Sequence, residues 1–255
     1  MTIVNQFADV DCLYVGGDSW TFGSELRDPA VGGDDDFTEV NSIYRNTYSW
    51  PALLGQQFNL EVVNDGQAGA SNHFIIRKAI KGITNLLRTG RRPFVILSWT
   101  QLQRLEIWDA KREHYINAVG PADCTSPAIA FDIWGKYSSD FSNVQEFLQQ
   151  AIMLDGFLKA QSVPYFATNV FKENYELMQK FINDKLEFGH LFYQMNNQVN
   201  MEKHLYELSL SQIVKAREGI SYGKGGHPLK DGHKVIADYL QAQIEKRFKF
   251  KTTKA

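Results

Sequence analysis

Ser19 stands in the run Gly16-Gly17-Asp18-Ser19-Trp20-Thr21-Phe22-Gly23, directly after the short apolar stretch Cys12-Leu13-Tyr14-Val15. A serine hydroxyl is a poor nucleophile until a base removes its proton, so a chain that uses one must also supply a histidine. Six histidines are available, at positions 73, 114, 190, 204, 227 and 233. Of these, His227 lies in a Gly-Gly-His-Pro turn just before a helical segment, where an imidazole can face a cleft. The Ser19/His227 pair would link the end of the first strand to the last loop, and its chemistry would be attack on an acyl carbon. Taken alone, Gly, Asp and Ser are also the ordinary residues of turns. Other chemistries lack their motifs: the chain contains no GxSxG, GxGxxG, GxxxxGK[ST] or HExxH.

The elements that must position this pair follow from periodicity. Cys12–Val15, Leu60–Val63, Phe94–Leu97 and Tyr165–Ala167 read as short apolar strands, the first closed by two glycines. Ser49-Trp50-Pro51 marks a helix entry, with the helix ending near Gly55 or just beyond. Ser71 or Asn72 caps a helix carrying Phe74, Ile75, Ala79, Ile80, Ile83 and Leu87, with Gly90 as its stop. Further helices are expected over Val144–Leu158, over 173–188, and from Asp231 through Ile244. The β-α-β-α-β order predicts a parallel sheet covered on both faces, and ligands of such sheets bind beyond the carboxyl ends of the strands. The segments 104–141 and 190–220 show no clear period.

Four spaced blocks occur jointly: Gly17-Asp18-Ser19-Trp20-Thr21, Asn64-Asp65-Gly66-Gln67-Ala68-Gly69-Ala70-Ser71, Leu97-Ser98-Trp99-Thr100-Gln101, and His227-Pro228-Leu229-Lys230-Asp231-Gly232-His233. Together they resemble the SGNH/GDSL hydrolase family. That resemblance implies a three-layer α/β/α sandwich with a central parallel sheet of about five strands, flavodoxin-like in layout, and an ester-cleaving serine. By the same resemblance Ser19 is the nucleophile and His227 the general base. The N–H groups of Ser19 and Gly69 form the oxyanion hole. Two departures stand out: the family's third-block Asn is replaced by Thr100, followed by Gln101, as candidate oxyanion donors, and Lys224 occupies the place of the usual Asp before the histidine. A backbone carbonyl, or a carboxylate from elsewhere, would then have to hold His227. Asp18 is expected to shape the Ser19 turn through backbone bonds. Asp18, Trp20 and Trp99 are also expected to line the substrate. His233 is expected to pack or cap.

Composition narrows the class. With Lys+Arg 27 against Asp+Glu 29, the chain lacks the basic excess of a nucleic-acid binder. A 44% hydrophobic content supplies a core and excludes disorder. Two cysteines without metal spacing point to a reducing compartment. No run reaches the ~18 apolar residues of a membrane span, and the N-terminus lacks an export pattern, so a soluble, cytoplasmic protein is expected. One domain over 1–255 is expected, with inserts near 104–141 and 170–220. Asp34-Asp35-Asp36 lacks EF-hand spacing and reads as a solvated acidic loop, so no metal and no cofactor is assigned. Trp108, Phe131, Trp134 and Tyr137 lie where an active-site wall would form, without the apolar stripe of a lipase lid. A small acyl ester, such as acetyl on a carbohydrate, is the expected substrate. The competing expectation is a glycan- or ester-binding module on the same fold.

Overall fold

Strands that carry apolar side chains on both faces must be covered on both faces. In the computed structural model, which describes residues 9–109, 114–118, 139–183 and 209–248, every residue of β1 (Cys12–Gly16), β3 (Pro93–Trp99) and β6 (Tyr165–Asn169) is buried. With β2 (Glu61–Asn64) they form a four-stranded parallel sheet in the order β2-β1-β3-β6. This is one strand fewer than expected among the described residues. Because side chains alternate along a strand, Leu13, Val15, Phe94, Ile96 and Phe166 point to one core. Tyr14, Val95, Leu97, Trp99, Tyr165 and Ala167 point to the other.

Helices close each face. The first core is covered by α3 (Trp50–Phe58), α7 (Leu210–Lys215) and α8 (Lys230–Phe248), through Trp50, Leu54, Leu210, Val214, Ile236 and Leu240. The second is covered by α4 (Asn72–Arg88), α5 (Asp140–Ala160) and α6 (Lys172–Asn183). The result is the expected three-layer α/β/α sandwich. Among the described residues no helix is long and apolar enough to cross a membrane.

Three elements depart from expectation. Strand β3 continues to Trp99, two residues past the predicted end, so the period of two carries Trp99 into the core beside Val95 and Leu97. An antiparallel hairpin, β4 (Leu105–Asp109) with β5 (His114–Ala118), occupies the start of the aperiodic 104–141 segment. Helix α2 (Glu39–Tyr48) is absent from the expected elements because its pattern is inverted: Val40 and Ile43 are exposed while Asn41 and Arg45 are buried. Those buried polar groups serve the loop before the helix. Asn41 Oδ1 accepts from Asp28 N (2.9 Å), Asn41 Nδ2 donates to the carbonyls of Asp35 (2.7 Å) and Gly32, and Arg45 Nη1 donates to the Asp36 carbonyl (2.6 Å). Residues 184–188 of the helix predicted over 173–188, and residues 110–113 and 119–138 of the 104–141 segment, lie outside the described residues.

His233, near the start of α8, is fully buried and caps α3: its Nδ1 accepts from Trp50 N (3.1 Å), at a helix start whose Ser49 makes no side-chain cap bond. Burial disfavours the imidazolium, with the His227 charge adding to it, and lowers the His233 pKa to about 3. In the unfolded chain the same group titrates near ~6.5. Below that pH the unfolded state takes up a proton that the folded state refuses, so stability is complete above pH ~6.5 and falls toward pH 3. Urea unfolding from pH 6 to 4 should show the wild type losing about 1.4 kcal/mol more per pH unit than His233→Asn. Equal slopes would contradict this.

Candidate functional site

The carboxyl ends of β1, β2, β3 and β6 share one edge of the parallel sheet, and the loops leaving them meet there. The first loop turns at once into α1 (Ser19–Phe22), with Ser19 as its first residue and Asp18 as its cap. Gly17 is required at this turn, since a Cβ there would lie 2.0 Å from Thr21 Oγ1. Asp18 is fully buried. Its Oδ1 accepts from Trp20 N (3.0 Å), and its Oδ2 accepts from Thr100 Oγ1 (2.8 Å) and Arg104 Nη1 (3.4 Å). Desolvation raises the Asp18 pKa, opposed chiefly by the Arg104 charge and the Thr100 bond.

The second and third loops are tied to each other. Asn72 makes a two-way bond with the backbone of Thr100, accepting from its N–H (3.0 Å) and donating to its carbonyl (3.2 Å). Asn174 Nδ2 donates to the same carbonyl (2.7 Å). Gly69 adopts a left-handed conformation, φ 73°, open to glycine without strain. Among the described residues the N–H groups of Ser19 and Gly69 have no hydrogen-bond partner. Two unsatisfied donors on neighbouring loops at this edge have the chemistry of an anion or oxyanion site.

The loop between α7 and α8 brings His227, and with it a residue that the sequence motifs do not indicate. His227 Nδ1 lies 2.9 Å from Glu25 Oε2. The same carboxylate accepts from Gly225 N at 2.8 and 2.9 Å and from His227 N at 3.3 Å. Burial pushes the Glu25 carboxyl up, but the bonds from Gly225 and His227 outweigh it and hold the group below the usual carboxylate range. Glu25 itself sits at φ 63°, a conformation that costs a non-glycine residue about 1 kcal/mol or more. It is fixed there by its N–H, which donates to both oxygens of Asp36 at 3.2 Å, while Arg27 Nε holds Asp36 at 2.6 Å. Asp34 pairs with Arg27 as well (3.1 Å). Asp34 and Asp35 of the acidic run are exposed, and Asp36 alone of the three fixes the Glu25 backbone.

Of the residues singled out from sequence, Ser19 is 7% exposed and His227 is partly exposed. No hydrogen bond joins the Ser19 hydroxyl to His227, although the His227 charge acts on the adjacent Asp18. Thr100 is fully buried with its hydroxyl donated to Asp18, which removes it as an oxyanion donor. Gln101 remains partly exposed, its Oε1 accepting from Arg104 Nε at 3.4 Å. Asp18, Trp20 and Trp99, expected to line the substrate, are buried. Asp18 and Trp99 are 0% exposed, Trp20 is 6% exposed, and both indoles pack in the cores, Trp99 against Phe147 and Trp20 against Phe171. Phe131, Trp134 and Tyr137 lie outside the described residues. Among the described residues no cluster of His, Cys, Asp and Glu could hold a metal ion.

The chain belongs to a family of unknown function, DUF6071, whose model matches residues 33–255; the matched span contains Gly69 and His227 and begins after Ser19 and Glu25. No curated protein matches it. The fold is shared with an acetyl xylan esterase from the rumen bacterium Butyrivibrio proteoclasticus, at TM-score 0.57 and 12% identity over 95% of this chain and 65% of that one. It is also shared with a family two carbohydrate esterase from Clostridium thermocellum, at TM-score 0.54 and 12% identity over 94% of this chain and 65% of that one. This chain thus spans under two thirds of either.

With Glu25 accepting at Nδ1, neutral His227 is held as the Nδ1–H tautomer with its Nε2 lone pair free. Nitrogen-15 NMR of histidine-labelled protein should show that tautomer for His227 at neutral pH and a shift toward Nε2–H in Glu25→Ala. A wild-type Nε2–H signal would contradict the assignment.

Proposed function

We propose that this member of the family is a serine hydrolase that cleaves small acyl esters, such as an acetyl group on a carbohydrate, by SGNH-like acyl-enzyme chemistry. The observation that carries this reading is the 2.9 Å contact between Glu25 Oε2 and His227 Nδ1. It supplies the orienting carboxylate that Lys224 does not, from a loop only six residues beyond the candidate nucleophile. In the proposed cycle His227 Nε2 takes the Ser19 proton as Oγ attacks the ester carbonyl. The N–H groups of Ser19 and Gly69 stabilise the oxyanion. The tetrahedral species collapses, the C–O bond to the alcohol breaks, and the imidazolium returns its proton to the leaving alkoxide. Water, deprotonated by His227, then hydrolyses the acyl-serine to release the acid. Glu25 keeps the tautomer throughout and stabilises the imidazolium. The substrate class is proposed on the small-ester reading of the sequence, alongside two proteins of the same fold, one named an acetyl xylan esterase and the other a family two carbohydrate esterase.

One observation favours a second reading, a module that binds such esters without cleaving them: the Ser19 hydroxyl is not bonded to His227. Catalytic hydrogen bonds are often long before substrate arrives, which leaves the hydrolase reading ahead. Turnover of p-nitrophenyl acetate separates the two. The hydrolase reading expects activity that is lost by at least 10³-fold in Ser19→Ala and falls about 10⁴-fold in Glu25→Gln, the size of the effect when a triad loses control of its tautomer. No Ser19-dependent turnover of this ester or of acetylated sugars would establish the binding module.

A further inference from the structure

The reach of Glu25 to His227 depends on the backbone from which its side chain leaves. Glu25 sits in the left-handed region at φ 63°, where a non-glycine residue stays only if its surroundings hold it. Among the described residues the sole acceptor for its N–H is Asp36, whose two carboxylate oxygens both lie at 3.2 Å. Resting on the hydrolase reading, we infer that Asp36 is a positioning residue of that reaction: it holds Glu25 in the conformation from which the carboxylate meets Nδ1 of His227, and it fixes that carboxylate relative to the helix that begins with Ser19.

Asp36 is itself held on two sides. Its Oδ1 accepts from Arg27 Nε (2.6 Å) and its carbonyl from Arg45 Nη1 (2.6 Å), so the Glu25 N–H meets an acceptor that is fixed in place. A hydrogen bond to an ionised acceptor is roughly twice as strong as one between neutral groups, which suits it to holding a strained residue. Arg45 also reaches the other side of the site. Its guanidinium lies 4.1 Å from the ring centroid of Phe22, the last residue of α1, and Phe37, next to Asp36, meets the same ring at 5.8 Å. The helix of the nucleophile and the backbone of the acid are thus fastened to one joint. The receiving end leaves little room for error: a Cβ at Gly223 would lie 2.5 Å from Glu25 Cδ, so the loop that carries His227 closes directly on the carboxylate. A shift of the Glu25 backbone takes the carboxylate out of that seat. Neither neighbouring acid takes this part, since Asp34 Oδ1 is bonded to Arg27 (3.1 Å) and Asp35 Oδ1 accepts from Phe37 N (2.8 Å).

The test is kcat and KM on p-nitrophenyl acetate for wild type, Asp36→Ala, Asp36→Asn, Glu25→Gln and the double variant of Asp36→Ala with Glu25→Gln, together with the nitrogen-15 signal of His227 in wild type and Asp36→Ala. In Asp36→Ala, kcat should fall about 10–100-fold, the loss typical of removing a group that orients a functional side chain from behind. KM should stay within about threefold of wild type, because ground-state binding is untouched. The double variant should be no slower than Glu25→Gln alone, since residues that act as a unit do not add. His227 in Asp36→Ala should move toward the Nε2–H tautomer, and Asp36→Asn, which keeps one acceptor oxygen, should recover part of the lost kcat. If Asp36→Ala does not fold, Asp36→Asn should still lose about threefold or more in kcat, with no further loss in the Glu25→Gln background. A folded Asp36→Ala with wild-type kcat and a wild-type Nδ1–H signal, or losses that multiply in the double variant, would overturn the inference. So would a melting temperature that falls while kcat of the folded protein does not, the mark of a purely structural Asp36. A wild type that neither turns over ester nor is phosphonylated at Ser19 by a fluorophosphonate would overturn the hydrolase reading itself, and the His227 signal then decides alone whether Asp36 holds the Glu25–His227 contact.

Discussion

A carboxylate without access to water must receive its hydrogen bonds from the protein, or it becomes a charge that destabilises everything near it. Asp18 is that carboxylate, and its partners come from its own turn, from the end of β3 and from the start of the hairpin segment. Thr100 gives its hydroxyl to Asp18, and its backbone is held in turn by Asn72 and Asn174, so the segments after all four strands are locked around one acid. The packed cores on both faces of the sheet hold these strand ends in register. Removing Arg104 alone would leave the buried acid without its compensating charge.

A second chain of contacts runs outward from His227. Glu25 holds the imidazole, Asp36 holds the Glu25 backbone, and Arg27 and Arg45 hold Asp36. The left-handed conformation of Glu25 is sustained by that chain, and the strain sits where the candidate chemistry is. Helix α2 takes its place in the same logic. Its buried face is polar because its task is to satisfy the carbonyls of the 28–36 loop, and its apolar residues are left outside.

What can be read from residues alone is what is local. The strands announce themselves by apolar runs, α4 by its period and its Ser71 cap, and the Ser19 and His227 turns by glycine chemistry. Trp99 is misplaced when β3 is ended too soon: once the strand reaches residue 99, the alternation of side chains puts the indole in the core. Glu25 is illegible for a different reason. It meets His227 across 202 positions of sequence, lies in a loop with no motif of its own, and competes with several other acids at the same edge of the sheet. The inverted pattern of α2 hides that helix, since a helix is recognised by an apolar face turned inward. Thr100 shows its residue type but not its engagement, because a hydroxyl's partner is set by the fold.

The central claim is that the loops after β1 and β2 form an oxyanion hole around Ser19, served by His227 and Glu25. Its most direct test is a crystal structure of the protein after reaction with an alkyl fluorophosphonate. The account predicts a phosphorus bonded to Ser19 Oγ, with one phosphonyl oxygen about 2.7–3.1 Å from the N–H groups of Ser19 and Gly69 and His227 still held by Glu25. Unmodified Ser19 under conditions that label other serine hydrolases, or a phosphonyl oxygen turned to solvent away from those two donors, would contradict it.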